Sequence, residues 1–527
     1  MKIYFYSILV FIASSILVNS TQQINDAFEY KNISAEINSI INKRKLTNTR
    51  YGIAIYSEKM QDFIYTHNPE MLLVPASNTK LVTTFTTYNL LKDDRNIKTK
   101  IAIEGEIIDG VLDGNLHIIG GGDALLSIND LEIIADEVRK YGINKINGNI
   151  VGDDTFFDNI YNRFHYSGDK DEVEPTAPVS ALSLERNVVN VIVTSGSSVG
   201  KSVNVSFKPA SSGFVISNSA VVGGAAQTQK PKKTGSINNI FIENDFMQIA
   251  GDVADYNNIT LASKGKKTAN PNQITITSNL DSKGRQVFYI KGRLSPNRTY
   301  TYRLHIRNPA LATASALKDR LIAGGVAVSG SATKKQSSDN NSDSDIGTKI
   351  IYTLFRNINE IVDITNKSSN NYLSEMLFKL NGAVFDKDKN TAQSASMANI
   401  QALNDNEINS NGFVFNDGSG LSRRNLITAE GLVGLLLKSA DSPFADDFIN
   451  SLSIAGVDGT LQKRMHGSFA EGNLRAKTGT HRNVSSLAGL VRNRSDDVLY
   501  FAFIFNGGSV GIYKQIENEI CMLLAEK

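Results

Sequence analysis

Three short polar motifs occur in this chain in an order that would bring two serine hydroxyls, two lysines and an asparagine together: Ser77-Asn78-Thr79-Lys80, Ser369-Asn370-Asn371 and Lys477-Thr478-Gly479. A serine three residues ahead of a lysine, at the start of a helix, has the parts of a nucleophile with its base. The helix N-terminus offers unpaired N–H groups and a positive dipole end, which favour developing negative charge. Residue i+3 lies one turn on along the same face, so the Lys80 amine can reach the Ser77 hydroxyl. To act as a base Lys80 must be neutral, whereas an unperturbed lysine titrates near about 10.4. Burial and a second positive charge would both lower that value, and Lys477 is the candidate for the second charge. Ser369 supplies a hydroxyl able to shuttle a proton, and Asn371 an amide able to bind a substrate carbonyl. Lys477 and Thr478 offer a cation and a hydroxyl to a carboxylate. Gly479, on a strand, lets another backbone come close, as an extended substrate along that edge would need.

Each motif has copies elsewhere, so spacing alone decides nothing. Ser167/Lys170, Ser198/Lys201 and Ser331/Lys334 repeat the Ser-x-x-Lys spacing, and Lys233-Thr234-Gly235 repeats the third motif. Ser167 falls in a polar loop, Ser198 in a Gly/Ser turn and Ser331 in a Ser/Asn/Asp/Lys tract over residues 329–345. Lys233 stands in a Gly-, Gln- and Lys-rich stretch with no strand pattern and precedes the Ser-Asn-Asn motif. Ser369-Asn370-Asn371 could equally be a plain helix cap, which these residue types favour.

The elements that must hold the motifs follow from hydrophobic periodicity. Residues 27–46 read as a helix, 50–57 and 62–66 as strands, and 75–91 as the helix opened by Ser77. Four threonines, at 83, 84, 86 and 87, are mediocre helix formers, so this helix must be held by burial on several sides. From about residue 92 to 308 short alternating runs separated by Gly, Asn and Asp indicate β-rich inserted material. Asn308-Pro309 opens a helix that Gly324 stops. Residues 472–480, 485–491 and 498–505 read as strands and 512–525 as a closing helix. The two N-terminal and three C-terminal strands can form one five-stranded antiparallel sheet flanked by helices. The expected division is a leader over 1–20, a first segment over 21–93, an insertion over 94–308 and a second segment over 309–527.

Composition narrows the classes. The 527 residues suffice for two or three domains, and 41% apolar content is that of a globular chain. A net charge of +2, from 55 basic and 53 acidic residues, argues against nucleic-acid binding through bulk charge. Lys2, the apolar run 3–17 and Val18-Asn19-Ser20 read as an export leader cleaved after Ser20. At most peripheral membrane association is then expected of the remainder, since the run falls short of the ~20 residues a span needs. Cys521 is the sole cysteine, so no intramolecular disulfide can form. The six histidines lack any metal-ligand spacing, and neither metal nor other cofactor is expected.

With these motifs the chain resembles the low-molecular-mass class C penicillin-binding proteins, the serine D-alanyl-D-alanine carboxypeptidase/endopeptidases. The likeness extends to Pro75-Ala76-Ser77, Gly120-Gly121-Gly122-Asp123, Pro178-Val179-Ser180-Ala181-Leu182, Asp417 to Arg423 and Gly456-Val457-Asp458-Gly459-Thr460-Leu461. It covers nearly the whole chain after the leader, and the long insertion between Ser77 and Ser369 is that family's hallmark. The resemblance implies an α/β (α+β) β-lactamase/transpeptidase-like domain carrying two nested β-rich domains. It implies Ser77 as the acylated residue, Lys80 as base, Ser369 as proton relay, and Asn371 and Lys477 on the substrate. The N–H groups of Ser77 and Thr480 would form the oxyanion hole. Arg423 resembles the arginine that meets the free end of the peptide side chain, with Asp169, Asp171 or Glu172 as an acidic partner. Peptidoglycan peptides are the implied substrate and β-lactam antibiotics the implied covalent inhibitors.

Two other readings compete. A serine β-lactamase needs a deacylating glutamate, for which Glu407 in Glu407-Ile408-Asn409 is the candidate. A non-catalytic wall-binding protein would keep the insert and lose the chemistry, against which stands the retention of every expected side chain.

Overall fold

The run Val498–Asn506 is apolar without alternation, as a strand covered on both faces must be. In the computed structural model, which describes residues 32–169, 175–223, 258–260, 273–336, 348–387 and 391–527, it lies inside an antiparallel sheet. The strand order is Ser453–Ile454, Arg475–His481, Val484–Arg492, Val498–Asn506, Arg50–Ser57, Asp62–His67. The sheet therefore has six strands where five were expected. The addition is the two-residue Ser453–Ile454, too short for a periodic signal, pairing with Arg475 and Ala476. On one face, Ile33, Ile37 and Ile41 of the helical residues 32–42 and Ile516, Ile520 and Leu524 of the closing helix Val510–Glu526 cover Phe501, Phe503 and Phe505. Cys521 is buried in that layer, and burial pushes its thiol far up, which suits packing rather than chemistry.

The Ser77 segment is a short 3-10 turn, Ala76–Asn78, running into the helix Thr79–Leu91. Every residue of that helix from Thr79 to Tyr88 is buried, which is what its threonine-rich sequence required. Three threonines are used as hydrogen-bonding groups: Thr83 donates to the Gly418 carbonyl (2.9 Å), Thr84 to Lys80 O (2.8 Å) and Thr87 to Asn381 Oδ1 (2.8 Å). Buried hydroxyls with partners lock the helix against its neighbours at less cost than unpaired ones.

The chain divides into two compact units, one running to Arg95 and resuming at Asn357–Lys527, the other Asn96–Arg356. The expected return at residue 309 is corrected by this division. The helix Pro309–Ala323 buries Ala310, Ala314, Leu317 and Leu321 among Leu116, Ile134 and Val138, inside the inserted unit. A capped amphipathic helix shows that an element starts, not to which core it belongs.

Among the described residues the inserted unit has two cores. One joins that helix to the strands Asn96–Ile108 and Val111–Ile119 and to a second helix, Ile128–Lys140. The second helix was absent from the β-rich expectation although its signal is present: Ser127 and Asp130 form a capping box, with Leu131, Ile134 and Val138 on one face. The other core lies between the strands Val188–Thr194 and Thr299–His305 and the sheet containing Gln273–Leu280 and Gln286–Leu294. The inserted motifs fasten the first core. Gly122 N donates to Ala181 O at 2.9 Å, and a Cβ on Gly120 would stand 2.3 Å from the same oxygen.

Ser331 and Lys334 flank or lie on a strand, Ala332–Lys334, rather than in a loop, because Ala332 to Lys334 pair with Ile150 to Gly152. The leader, the Lys233-Thr234-Gly235 copy, Lys170, Asp171 and Glu172 lie outside the described residues. Among the described residues no helix is long and apolar enough to cross a membrane.

Candidate active site

The three motifs meet beside the Ser77 turn. The Lys80 amine lies 3.0 Å from Ser77 Oγ, 2.8 Å from Asn371 Oδ1 and 2.6 Å from the Ser419 carbonyl. The Lys477 amine donates to Ser369 Oγ at 2.9 Å and to its neighbour's carbonyl, Thr478 O, at 3.0 Å. Both lysine side chains are fully buried.

Each element places its residue for a local reason. Asn370, not Ser369, caps the helix Asn371–Phe385, its side chain accepting from Leu373 N at 2.9 Å. That frees Ser369, held at a φ of 55°, to turn its hydroxyl to Lys477, and puts Asn371 on the first turn facing Lys80. The strand Arg475–His481 passes so near the Ser77 turn that a Cβ on Gly479 would fall 2.7 Å from Pro75 O and 3.1 Å from Ser77 N. Only glycine permits this approach, the one an oxyanion pocket between the Ser77 and Thr480 amides requires. Past Ala476 no described strand pairs with the outer edge of this strand, which leaves backbone groups for an extended ligand.

Sequence reasoning missed what holds Lys80. Two buried carboxylates grip the loop that follows Phe415. Glu375 accepts from Ser419 N at 2.8 Å and Gly418 N at 3.3 Å. Asp417 accepts from Gly420 N at 2.9 Å, Ser422 N at 2.7 Å and Asn425 Nδ2 at 2.7 Å. With its N–H groups tied to carboxylates, the loop turns its carbonyls outward, Gly418 O to Thr83 and Ser419 O to Lys80. The signal was a glutamate four residues beyond Asn371, on one helix face with it.

The expectation was a depressed Lys80 with Lys477 as the cause. In the structure Lys477 is held well below the usual lysine range, first by burial and then by the adjacent Lys80 amine. This carries a stability consequence whose sign follows from linkage. Above about pH 10.4 the unfolded lysine is neutral and nothing is lost. As pH falls, the unfolded chain takes up a proton that folded Lys477 refuses, so stability is lost until the folded value is passed. A Lys477→Met protein should therefore gain on wild type in urea midpoint between about pH 10 and pH 7. A gap that stays constant across that range would contradict the depressed lysine.

Arg423 is exposed, while the turn before it is pinned by Asp417, so the arginine is not what holds the turn. It lies near His481, which is kept below the usual histidine range by burial, with the Arg423 charge acting in the same direction. Asp169, one of its suggested partners, is engaged by Arg163 at 2.7 Å. Glu407, on which the β-lactamase reading rested, has an 84% exposed side chain paired with Lys438 at 2.9 Å. A surface ion pair of that kind offers no deacylating base. Of the copied motifs, Ser167 is buried against Arg163 and Asp169, and Lys334 is bound to Asp154 and Tyr161. Ser198 and Lys201 share only a backbone turn bond, at 3.3 Å. Thr478 donates its hydroxyl to Thr460 Oγ1 at 2.8 Å, a contact the sequence did not announce.

The chain is similar to known proteins over most of its length. The family model described as D-Ala-D-Ala carboxypeptidase 3 (S13) matches residues 33–287 and 250–527. The D-alanyl-D-alanine carboxypeptidase of Actinomadura sp. (strain R39) is 27% identical over 519 residues, covering 93% of this chain and 84% of the relative. The D-alanyl-D-alanine carboxypeptidase DacB of Haemophilus influenzae is 22% identical over 466 residues, covering 87% of this chain and 86% of that protein. The crystal structure of penicillin binding protein 4 (dacB) from Haemophilus influenzae superposes with a TM-score of 0.69 at 20% identity, covering 93% of this chain and 99% of that one.

Proposed function

The chain belongs to the D-Ala-D-Ala carboxypeptidase 3 (S13) family, and we infer from that membership and the site that it is a serine D-Ala-D-Ala carboxypeptidase acting through a Ser77 acyl-enzyme. The observation that carries this is the Lys80 amine, set 3.0 Å from Ser77 Oγ by acceptors that can only receive protons.

To act as base Lys80 must be neutral, with two protons and one lone pair. Asn371 Oδ1 and Ser419 O take the protons, which leaves the lone pair for the Ser77 hydroxyl. Ser77 attacks the carbonyl between the two D-alanines while Lys80 takes the hydroxyl proton. The oxyanion forms against the Ser77 and Thr480 amides, donors whose loss costs roughly 10²–10³ in rate elsewhere. Ser369, accepting from Lys477, gives its own proton to the leaving D-alanine amine and is restored by the proton that Lys80 took, which leaves Lys80 neutral again. Water then attacks the acyl-enzyme with Lys80 again as base, releasing the shortened peptide and restoring Ser77. The same geometry suits cleavage of D-amino-acid cross-links in peptidoglycan. A β-lactam presents a strained amide and a carboxylate in the same places, so it acylates Ser77. The apolar run at residues 3–17 and a substrate outside the cytoplasmic membrane both support export of the protein, with the periplasm as its place of action.

Release of D-alanine from peptides ending in D-alanyl-D-alanine tests the activity, and two such peptides test Arg423 as well. If this exposed arginine meets a carboxylate at the tip of the third residue, a diaminopimelate peptide should be cut faster than an alanine one. A charge-assisted contact worth about 1.5–3 kcal/mol corresponds to roughly ten- to a hundredfold in kcat/KM. Arg423→Ala should erase most of that preference while affecting the alanine peptide far less. Equal losses on both peptides would deny Arg423 this role, and no D-alanine release from either peptide by the wild type would overturn the activity.

A further inference from the structure

The motif Gly456 to Leu461 has no task in the chemistry above, yet it is built against both the Ser369 and the Lys477 motifs. Lys367, which ends the helix Ile358–Lys367 just before Ser369, places its amine 2.5 Å from Asp458 Oδ2 and 3.2 Å from Leu452 O. Asp458 Oδ1 accepts from Ile454 N at 2.7 Å. Gly459 has a φ of 55°, and a Cβ there would stand 2.3 Å from Ser453 Oγ and 2.6 Å from Lys367 O, so the bend admits only glycine. The bend delivers Thr460. Its N–H donates to Ser453 Oγ at 3.1 Å, and the Ser453 hydroxyl donates to Lys367 O, also at 3.1 Å. The backbone of Thr460 is thus fixed while its side chain stays exposed beside Thr478.

The hydroxyl protons can be followed one at a time. Ser453 gives its proton to Lys367 O. Thr478 gives its proton to Thr460 Oγ1, across 2.8 Å. The proton of Thr460 is left with a weak internal partner, Ser453 Oγ at 3.3 Å, beyond the usual range for a hydroxyl pair. A hydroxyl that accepts one strong bond is a better donor in the next.

We propose that Thr460 is a substrate-binding residue, and that its hydroxyl, polarised by Thr478, donates to the terminal carboxylate of the D-alanyl-D-alanine substrate. The proposal rests on the carboxypeptidase reading and moves to Thr460 the donor role that the sequence assigned to Thr478. Thr478 becomes the group that orients Thr460.

The test uses the full chain as wild type, Thr460→Val and Thr460→Ser, with a D-alanyl-D-alanine peptide offered as the free acid and as its terminal methyl ester. Thr460→Val should lower kcat/KM on the free acid about tenfold more than on the ester, the effect of one hydrogen bond to a charged group. Thr460→Ser should recover most of that difference, and melting temperatures should match, since the side chain is exposed. Equal losses on acid and ester, or no loss on either, would overturn the proposal. So would a serine variant that fails to recover while remaining folded. A wild type that cleaves neither peptide and binds no labelled penicillin would instead overturn the carboxypeptidase reading, and Thr460 with it.

Discussion

Ser77→Ala protein will form no covalent adduct with a labelled penicillin under conditions where the wild type is labelled to completion. Removing a serine nucleophile from a preorganised site elsewhere costs about 10⁶ in rate, so the gel band should vanish rather than fade. The substitution itself is mild. It deletes one oxygen from a half-buried residue in the middle of the Ala76–Asn78 turn, and Lys80 keeps Asn371 Oδ1 and Ser419 O as partners, so the fold should be retained. The other Ser-x-x-Lys serines provide controls with different surroundings. Ser167→Ala, Ser198→Ala and Ser331→Ala should label as the wild type does, because among the described residues none of these hydroxyls has a buried lysine amine beside it. Ser167 is the informative one, being buried against Arg163 and Asp169, where its loss should lower stability and leave labelling intact. A labelled Ser77→Ala protein would remove the nucleophile from this position.

How much of this was legible in the sequence depends on range. The three motifs were legible because each is short and each sits at an element boundary that periodicity and capping residues mark: Ser77 at a helix start, Asn371 behind its cap, Lys477 inside a strand. Their convergence needs the sheet Arg475–His481 to Asp62–His67 and the helix Thr79–Leu91, and these too carry strong patterns. What could not be read is the second layer. Glu375 is one glutamate on a helix until the loop carrying Gly418 and Ser419 lies against it. Thr460 is one polar residue in a glycine-rich bend until Thr478 reaches it. The domain return was misplaced for a related reason. Asn308-Pro309 announces a helix, but its apolar face fits Ile134 and Val138 of a helix that the β-rich reading had passed over. Patterns local in sequence are recovered from sequence, and choices among partners are not.

Replacement of Lys80 by alanine is expected to abolish acylation at neutral pH, and the pattern of its recovery distinguishes a base from a prop. A positioned general base contributes about 10²–10⁴ in rate. Here the loss should lie at the upper end or beyond, since the same amine also orders Asn371 Oδ1 and Ser419 O around Ser77. Truncation leaves a cavity lined by those two oxygens and the hydroxyl of the half-buried Ser77. A small primary amine added to the buffer can enter it, give two protons to the two acceptors and turn its lone pair to Ser77, as Lys80 does. Acylation of Lys80→Ala by penicillin should therefore rise with added methylamine and saturate. It should also rise with pH through the titration of that amine, because only the free base has a lone pair to offer. A structural loss would show neither saturation nor this pH dependence. Lys477→Ala is the contrast: Lys477 meets Ser369 Oγ rather than Ser77, so methylamine should not restore acylation with the Lys80 pattern. If amine rescued the Lys477 variant and left the Lys80 variant dead, the roles of the two lysines would have to be exchanged.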